Sequence, residues 1–253
     1  MLRDLFFISL TTAAAIALLL PLRVLLRRRY AAAWLYFVWL LLAVRLLVPF
    51  RWEWKTAPVQ LPAAVTEGLD IVLSYRPAPA VQQEGTAGSM TVADGLALVW
   101  GLGAAGMLCY HFGTYFLFRC RAKRQFVLVE QGTQKGPFVL DPPVYRCAAV
   151  EGPVMLGWLR PVILLPQTDY TAEERVAVLL HERCHFRRGD LWYKLLLLLV
   201  KSVHWFNPLV WLMVKTAEED LELACDETVI RRQGRTFKRI YSLAIVKTAG
   251  EKL

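Results

Sequence analysis

Apolar residues come in long blocks along this chain, and three blocks are long enough to cross a lipid bilayer. Leu5–Leu22 has no charged residue in 18 positions, Tyr30–Phe50 contains only Arg45, and Gly95–Phe118 has no formal charge in 24 positions. A helix of about 20 apolar residues crosses the hydrocarbon core of a bilayer. The pattern therefore predicts three transmembrane helices, at about 5–22, 30–50 and 95–118, and a loop at about 51–94.

Short runs with strand character follow the third block. They are rich in β-branched and aromatic residues and are separated by Gly and Pro, which is typical of strands joined by turns. A small sheet is predicted from the runs Phe126–Glu130, Phe138–Leu140, Val144–Val150 and Pro161–Leu165. The last run could hold an extended peptide as an edge strand, but its apolar character favours a buried core strand.

Helical periodicity returns after the predicted sheet. Thr171 and Glu174 have the spacing of a capping box, apolar residues follow, and Gly189 stands where a helix can end. We therefore predict a helix between Thr171 and Gly189. Together these elements predict a membrane protein that is mainly α, with a transmembrane region over 1–120 and an α+β domain over 121–253.

Composition and charge agree with this organisation. Hydrophobic residues make up 56% of the chain and the mean hydropathy is +0.38, which is too apolar for an ordinary soluble domain of this size. Lysine and arginine gather after the first and third spans, and the positive-inside rule places such clusters in the cytoplasm. We therefore expect a multi-pass protein with its N-terminus outside and the 121–253 domain in the cytoplasm. The clusters are Arg23, Arg27, Arg28 and Arg29, and then Arg119, Arg121, Lys123 and Arg124.

The positions of the basic residues indicate which partners to expect, and the positions of the cysteines indicate whether disulfides are expected. The net charge of +9 comes from basic residues that flank apolar segments, so we expect contact with anionic lipid and no direct binding of nucleic acid. None of the five cysteines falls in the loop at 51–94, so no disulfide framework is expected. Cys184 and Cys225 lie close in sequence to His181, His185 and Glu222, which are proposed below as metal ligands. Apolar packing within helices is the favoured role of both cysteines.

The segment His181-Glu182-Arg183-Cys184-His185 carries a zinc-hydrolase signature. On the predicted helix, His181 and His185 lie one turn apart on the same face, where both can bind one Zn²⁺. Glu182 lies about 100° further round the helix, where its carboxylate can accept a proton from water. The alternative is a buried helix whose histidines bond to neighbouring carbonyl groups. The motif predicts one Zn²⁺ per chain, with Glu182 as the general base.

A catalytic zinc site needs a third protein ligand. His204 and several carboxylates compete for this role, and Glu222 is the best candidate. Thr216 and Glu219 have the spacing of a second capping box, so Glu222 and Asp226 would lie one turn apart on one face of a second helix. Glu222 would bind zinc, and Asp226 could orient a ligating histidine. An acidic, solvated helix start is the alternative.

A fourth apolar block occupies Leu191–Val214. A complete crossing there would place Glu222 and His181 on opposite sides of the bilayer, where they could not bind the same ion. We therefore predict two short helices that form a re-entrant or membrane-surface hairpin at about 191–214. Asp190, just before this block, is a second candidate for orienting a histidine, or else a polar residue at a helix end. The block also contains polar residues and a pair that can break a helix, namely Lys194, Lys201, His204 and Asn207-Pro208.

Five sequence blocks, in this order, resemble the BlaR/MecR-type antirepressor metallopeptidases. The resemblance covers roughly the whole chain and implies a zincin-like gluzincin in a bacterial inner or plasma membrane. Carried over to this sequence, it implies that His181, His185 and Glu222 bind zinc and that Glu182 is the general base. The blocks are Gly152–Gly157, Arg160–Pro166, His181–Asp190, His204–Pro208 and Glu218–Glu227.

In well-known members of that family, an external β-lactam-binding domain triggers cytoplasmic cleavage, including self-cleavage, and a transcriptional repressor is inactivated. This sequence departs from that pattern because it ends at Leu253, with no later span and no penicillin-binding module. We therefore expect a member that lacks the sensor domain, a truncated product or a fragment of a longer chain.

The predicted function is signal transduction by a membrane-embedded zinc endopeptidase. Zinc would lower the pKa of bound water from about 15.7 toward about 7, and Glu182 would take its proton and deliver it to the leaving amine. The expected partners are the lipid bilayer and a cytoplasmic protein substrate such as a repressor, with a second copy of the chain as a candidate. Two alternatives stay open: a zinc protease for membrane-protein quality control or for prenylated proteins, and a signalling scaffold without turnover.

Overall fold

The computed structural model describes residues 2–29, 32–48, 91–135, 138–233 and 235–250. Most of the predicted loop at 51–94 lies outside these residues. Residues 91–100 belong to a separate compact unit, and the unit described below comprises residues 1–49 and 101–253. In chain order the elements are α1 (Leu2–Arg29), α2 (Ala32–Leu47), α3 (Val92–Lys123), β1 (Val127–Glu130), β2 (Thr133–Lys135), β3 (Phe138–Asp141), β4 (Val144–Arg146), β5 (Val154–Leu156), β6 (Val162–Leu165), α4 (Ala172–Arg188), α5 (Asp190–Val203), α6 (Pro208–Gln233) and α7 (Arg235–Gly250).

Two of the described helices are long and apolar enough to cross a membrane. They are α1 over Leu5–Arg27, with 23 residues, and α3 over its 32 residues. These helices correspond to the first and third predicted spans. Helix α2 has 16 described residues, fewer than the roughly 20 that a perpendicular crossing needs. The mainly helical character with a small sheet is confirmed, and the second span stays a prediction.

Helices α1, α2, α5 and the first half of α6 pack around one apolar core. On α5 the buried positions Tyr193, Leu197 and Val200 recur every three or four residues, so they form one stripe that faces the neighbouring helices. The core of this bundle consists of Ile16, Leu35, Trp39, Leu42, Ala43, Leu46, Tyr193, Leu197, Val200, Val210, Met213, Val214, Ala217 and Leu221.

The start of α6 differs from the prediction. Asn207 Oδ1 accepts a hydrogen bond from the Leu209 N–H at 3.0 Å, and Pro208 is the first helical residue, where its missing N–H carries no cost. The helix then continues without a break to Gln233. The predicted helix start at Thr216 is therefore wrong. Thr216 is a buried residue in the helix interior, because the Asn-Pro pair already supplies the start signal.

The turn between α5 and α6 reaches one end of the bundle. Asn207 Nδ2 donates to Ser9 Oγ at 2.9 Å, near the start of α1. His204 is fully buried, and its Nε2 lies 3.1 Å from the Leu46 carbonyl oxygen, near the end of α2. His204 therefore has a packing role in the turn, and its candidacy as a metal ligand is not supported.

Asp220 of α6 organises the other end of the bundle. Its side chain is 0% exposed, and it accepts hydrogen bonds from Arg23 Nε at 3.1 Å and Arg27 Nη2 at 2.6 Å. The indole Nε1 of Trp39 also donates to Asp220, at 2.8 Å. Two guanidinium groups and an indole thus satisfy a carboxylate that would otherwise be costly to bury. The basic end of α1 therefore lies beside the turn of α6 that carries Glu222.

The sheet lies beside α4 and has the strand order β1-β4-β6-β5, with β4 and β6 parallel and the other neighbours antiparallel. Strands β2 and β3 form a separate hairpin. All four predicted runs contain a strand. Strand β6 is central and largely buried, so the preference for a core strand at Pro161–Pro166 is confirmed. The unpredicted strands β2 and β5 have three residues each, too few to show an alternating pattern.

Replacing Asp220 with alanine is expected to destabilise the protein by about 3 kcal/mol, because the Arg23 guanidinium group, whose side chain is only 12% exposed, loses its buried anionic partner. Unfolding in detergent, followed by circular dichroism, measures this loss. Glu219→Ala is the matched control, because Glu219 accepts from the same Arg23 at 2.9 Å but is 49% exposed. A change below about 1 kcal/mol is expected for the control. Equal losses in the two variants would contradict the role given to Asp220.

Candidate metal centre

Helix α4 begins and ends where the sequence predicts. Thr171 Oγ1 accepts from the Glu174 N–H at 3.2 Å, and Glu174 Oε2 accepts from the Thr171 N–H at 2.9 Å, which completes the capping box. Gly189 ends the helix with a φ of 72°, a left-handed conformation that glycine adopts without strain. Because α5 starts at the next residue, Asp190, one glycine joins the helix of the zinc motif to the bundle.

Three candidate ligand atoms from α4 and α6 meet at one point. His181 Nε2 and His185 Nε2 are 3.0 Å apart, and Glu222 Oε2 lies 3.1 Å from the second nitrogen and 3.5 Å from the first. Ligand atoms at about 2.0–2.1 Å from a tetrahedral zinc ion are about 3.3 Å from one another. The observed triangle has this size, so the three side chains fit one Zn²⁺.

Cys225 is a rival for the third position. Its Sγ and a ring nitrogen of each histidine lie within 4.8 Å of one another. The thiol, however, lies 3.5 Å from the His181 carbonyl oxygen and belongs to the apolar cluster that also contains Cys184. Glu222 Oε2 lies within 3.5 Å of both histidine Nε2 atoms. The distances therefore favour Glu222 over Cys225.

The second ring nitrogen of each histidine faces a carboxylate. His185 Nδ1 lies 2.7 Å from Asp190 Oδ2, and both side chains are buried. His181 Nδ1 lies 3.2 Å from Asp226 Oδ1. Such contacts fix the orientation of a ligating imidazole and make its other nitrogen a better ligand. The structure thus brings Asp190 and Asp226 to the positions that an orienting role requires.

Tyr241 of α7 completes this arrangement, and the sequence reasoning missed it. Its hydroxyl donates to Asp226 Oδ1 at 2.6 Å and lies 2.6 Å from His181 Nδ1. The side chain is almost fully buried between α4 and α7. No spacing rule connects a tyrosine to a zinc motif 60 positions earlier, so only the packing of α7 reveals this contact.

A cavity of about 530 Å³ opens beside the three ligand atoms. Lys194 of α5 borders it, and its Nζ donates to Glu222 Oε1 at 3.0 Å. Strand β5, at the edge of the sheet, forms part of another wall. The lining consists of Pro153, Val154, Met155, Ala177, Val178, His181, Glu182, His185, Asp190, Leu191, Lys194, Glu222, Asp226, Tyr241 and Ala244.

The carboxylates give this site a negative potential. Burial by itself lowers the pKa of His181, but the hydrogen bonds to Asp226 and Glu222 raise it overall to about 10. Burial also opposes protonation of His185, and its carboxylate partners still raise its pKa. Burial raises the pKa of Glu222, but its bonds to the two histidines lower it well below its usual range. The same carboxylates attract a divalent cation, which would displace the protons from the histidines on binding.

Glu182 borders the same cavity and is 7% exposed. Burial raises the pKa of its carboxyl group, an effect that the neighbouring histidines oppose but do not cancel. A raised pKa makes a carboxylate a stronger proton acceptor, which suits a general base. Glu182 therefore has a location and a direction of pKa shift that agree with proton transfer.

Comparison with known proteins gives a family and individual relatives. A family model described as BlaR1 peptidase M56 matches residues 3–252. The regulatory protein BlaR1 of Bacillus licheniformis is 36% identical over 104 residues, and the methicillin resistance mecR1 protein of Staphylococcus aureus (strain Mu50 / ATCC 700699) is 27% identical over 101 residues. These segments cover 40% and 39% of this chain but only 17% of either relative.

The family match confirms the resemblance that the sequence blocks indicate, and with it the metallopeptidase class and the association with a membrane. The fit of two histidines and a glutamate to a metal ion agrees with that class. The matched residues span almost the entire chain, and this protein accordingly belongs to the peptidase M56 family of metallopeptidases.

Proposed function

We propose that this protein is a zinc endopeptidase of the bacterial cell membrane that cleaves a cytoplasmic protein during signal transduction. The observation that carries the proposal is the triangle of His181, His185 and Glu222, with Glu182 in the same cavity. Its relatives are a regulatory protein and a resistance protein, which supports a transcriptional repressor, or the chain itself, as the substrate.

Each polar residue of the site has a distinct role in this proposal. A bound Zn²⁺ supplies a Lewis acid that polarises the substrate carbonyl group and acidifies water. Glu182 accepts the proton of the attacking water and returns it to the leaving amine. Asp190 orients His185, and Asp226 orients His181, so that the Nε2 atoms stay aimed at one position.

Lys194 is our candidate for the group that stabilises the oxyanion. It carries the one ammonium group among the described residues that line the cavity, where the other charged side chains are carboxylates and histidines. Its contact with Glu222 Oε1 holds it beside the reacting position. A fixed positive charge at that place stabilises the negative charge that develops on the carbonyl oxygen in the transition state.

Strand β5 is our candidate for the substrate-binding strand. It is the last strand in the sheet order, so one side pairs with β6 and the other side faces the cavity through Val154 and Met155. An extended peptide can add to such an edge through backbone hydrogen bonds. Recognition of this kind depends on an accessible, extended segment in the substrate more than on particular side chains.

The bundle contacts support a transmembrane region over 1–120, a cytoplasmic peptidase domain over 121–253 and a re-entrant hairpin between α5 and α6. The turn at 204–207 lies against Ser9 and Leu46, whereas Asp220 lies against Arg23. Helix α5 has 14 residues and a length of about 21 Å, less than the roughly 30 Å of a hydrocarbon core. A hairpin lying on the membrane surface would not insert its turn between α1 and α2.

Zinc content tests the ligand set. Purified native protein is expected to hold about one Zn²⁺ per chain, and Glu222→Ala is expected to lose it or bind it much more weakly. Cys225→Ser is the matched control, because Cys225 is the rival ligand on the same helix, and it should keep the metal. Loss of zinc in the cysteine variant but not in the glutamate variant would reverse the assignment.

In the same assay, Asp190→Asn should lower zinc affinity by about 10–100-fold.

Glu182→Gln separates a peptidase from a signalling scaffold. The amide cannot accept a proton, so hydrolysis of a fluorescent casein substrate should fall by about 10²–10⁴-fold while zinc content stays the same. Glu173→Gln, on the exposed first turn of the same helix, is the control and should be fully active. Undiminished cleavage in Glu182→Gln would remove Glu182 from the mechanism.

Lys194→Met tests the oxyanion role. The variant keeps much of the aliphatic length but lacks the positive charge, so kcat should fall by about 10²–10³-fold with KM and zinc content little changed. Lys201→Met is the control, because Lys201 lies on the same helix with its ammonium group over the Trp211 ring. A change confined to KM would assign Lys194 to substrate binding instead.

A further inference from the structure

The turn between β5 and β6 exposes an apolar side chain next to the site. Gly157 has a φ of 101°, and a Cβ there would lie 2.6 Å from the Arg160 carbonyl oxygen, so glycine is required. This tight turn projects Trp158 and Leu159 away from the sheet, and Leu159 is 80% exposed. A single exposed leucine does not by itself require a partner, so the surroundings of Leu159 decide whether it has one.

Contacts with α3 show what surrounds this turn. The Trp158 ring stacks on Tyr115 at a centroid distance of 4.3 Å and meets Phe112 edge-on at 5.7 Å. Both partners belong to the apolar part of α3, which continues to Arg119. At a rise of 1.5 Å per residue, they lie about 6–10 Å to the apolar side of Arg119. Leu159 is therefore adjacent to a part of α3 that a bilayer would cover.

A second tryptophan, Trp192, lies about as far from the α5–α6 turn as the α3 residues that contact Trp158. Gly103 of α3 packs against the Trp205 ring at the α5–α6 turn, which aligns the two helices at one level. From that level, Tyr115 is about 18 Å along α3 and Trp192 is about 20 Å along α5. Trp192 is 53% exposed, and it lines a cleft of about 60 Å³ together with Trp158. Trp158 and Trp192 thus line one cleft, and the parts of α3 and α5 beside them lie at similar distances along each helix from the α5–α6 turn.

We propose that Leu159 inserts into the bilayer and that Trp158 and Trp192 mark its interface, so that the membrane itself is the partner of this surface. The inference rests on the proposed crossing of α3. Tryptophan favours the level where hydrocarbon meets headgroups, and the exposed Arg160 next to Leu159 suits anionic headgroups. The basic last turn of α3, with Arg121 and Lys123, lies close in sequence to Tyr115, and this favours a lipid surface over a protein partner.

This contact has a consequence for the substrate. Met155 and His185 line both the cavity of the metal centre and the cleft between the tryptophans. The end of the substrate-binding strand β5 is therefore held at the membrane surface. A polypeptide that approaches β5 has to present its scissile bond within a short distance of the headgroups.

Site-directed spin labelling of the full chain in nanodiscs with anionic lipid tests the proposal. The exposed Cys109 and Cys120 are replaced by serine, while the buried cysteines remain. Single cysteines are then introduced as Leu159→Cys, as Tyr110→Cys on the exposed face of α3 about 13 Å from Arg119, and as Val176→Cys on the exposed face of α4. Power saturation with oxygen and with a water-soluble nickel complex reports whether each label lies in lipid or in water.

The labels at 159 and 110 are expected to relax more with oxygen, and the label at 176 with nickel. A label at 159 that prefers nickel, with the label at 110 in lipid, would overturn the membrane contact and leave the spanning helix intact. A label at 110 that prefers nickel would overturn the crossing of α3 and the contact together. Zinc content of each variant, measured in parallel, verifies that the fold is retained.

Discussion

The buried carboxylate of Asp220 is the constraint on which the rest of the structure depends. It lies two residues before Glu222, and Arg23, Arg27 and Trp39 surround it. Because a buried charge must be compensated, α6 can occupy only the position at which these three donors reach it. That position also places Glu222 beside the basic end of α1. The candidate metal centre therefore lies at the same end of the bundle as Arg23 and Arg27.

Few elements supply the side chains of the candidate metal centre. One helix carries both histidines, a second carries Glu222 and Asp226, and the glycine at 189 lets Asp190 turn back to His185 within five residues. The orienting contacts do not come from a separate loop. They come from the residues that join the peptidase elements to the bundle, which means that the packing of α5 and α6 also determines where the imidazoles point.

The local geometry of the candidate site could be predicted because it follows from the spacing of residues on a helix. A spacing of four on a helix places His181 and His185 on one face, and the capping box and Gly189 define that helix. The same reasoning failed at Thr216, where a correct spacing occurs inside a helix that Asn207 and Pro208 had already started. Capping signals compete, and the first satisfied one decides where the helix begins.

Contacts between distant segments could not be predicted in this way. Nothing in the sequence around Tyr241 or Lys194 relates either residue to the metal ligands, since both contacts arise from packing of separate helices. Short strands were missed for a similar reason, because the three residues of β5 become a strand only when β6 provides hydrogen bonds. Tertiary pairing, and not local preference, creates these features.

Helix α6 runs unbroken from the turn at the far end of the bundle to the metal centre and beyond. Such a helix acts as a rod, because it has no hinge between Pro208 and Glu222 at which an axial shift could be absorbed. Distances between a metal ion and its ligands stay within about 0.2 Å of their standard values. A small axial shift of the turn at 204–207 is therefore delivered, with little loss of amplitude, to the carboxylate of Glu222.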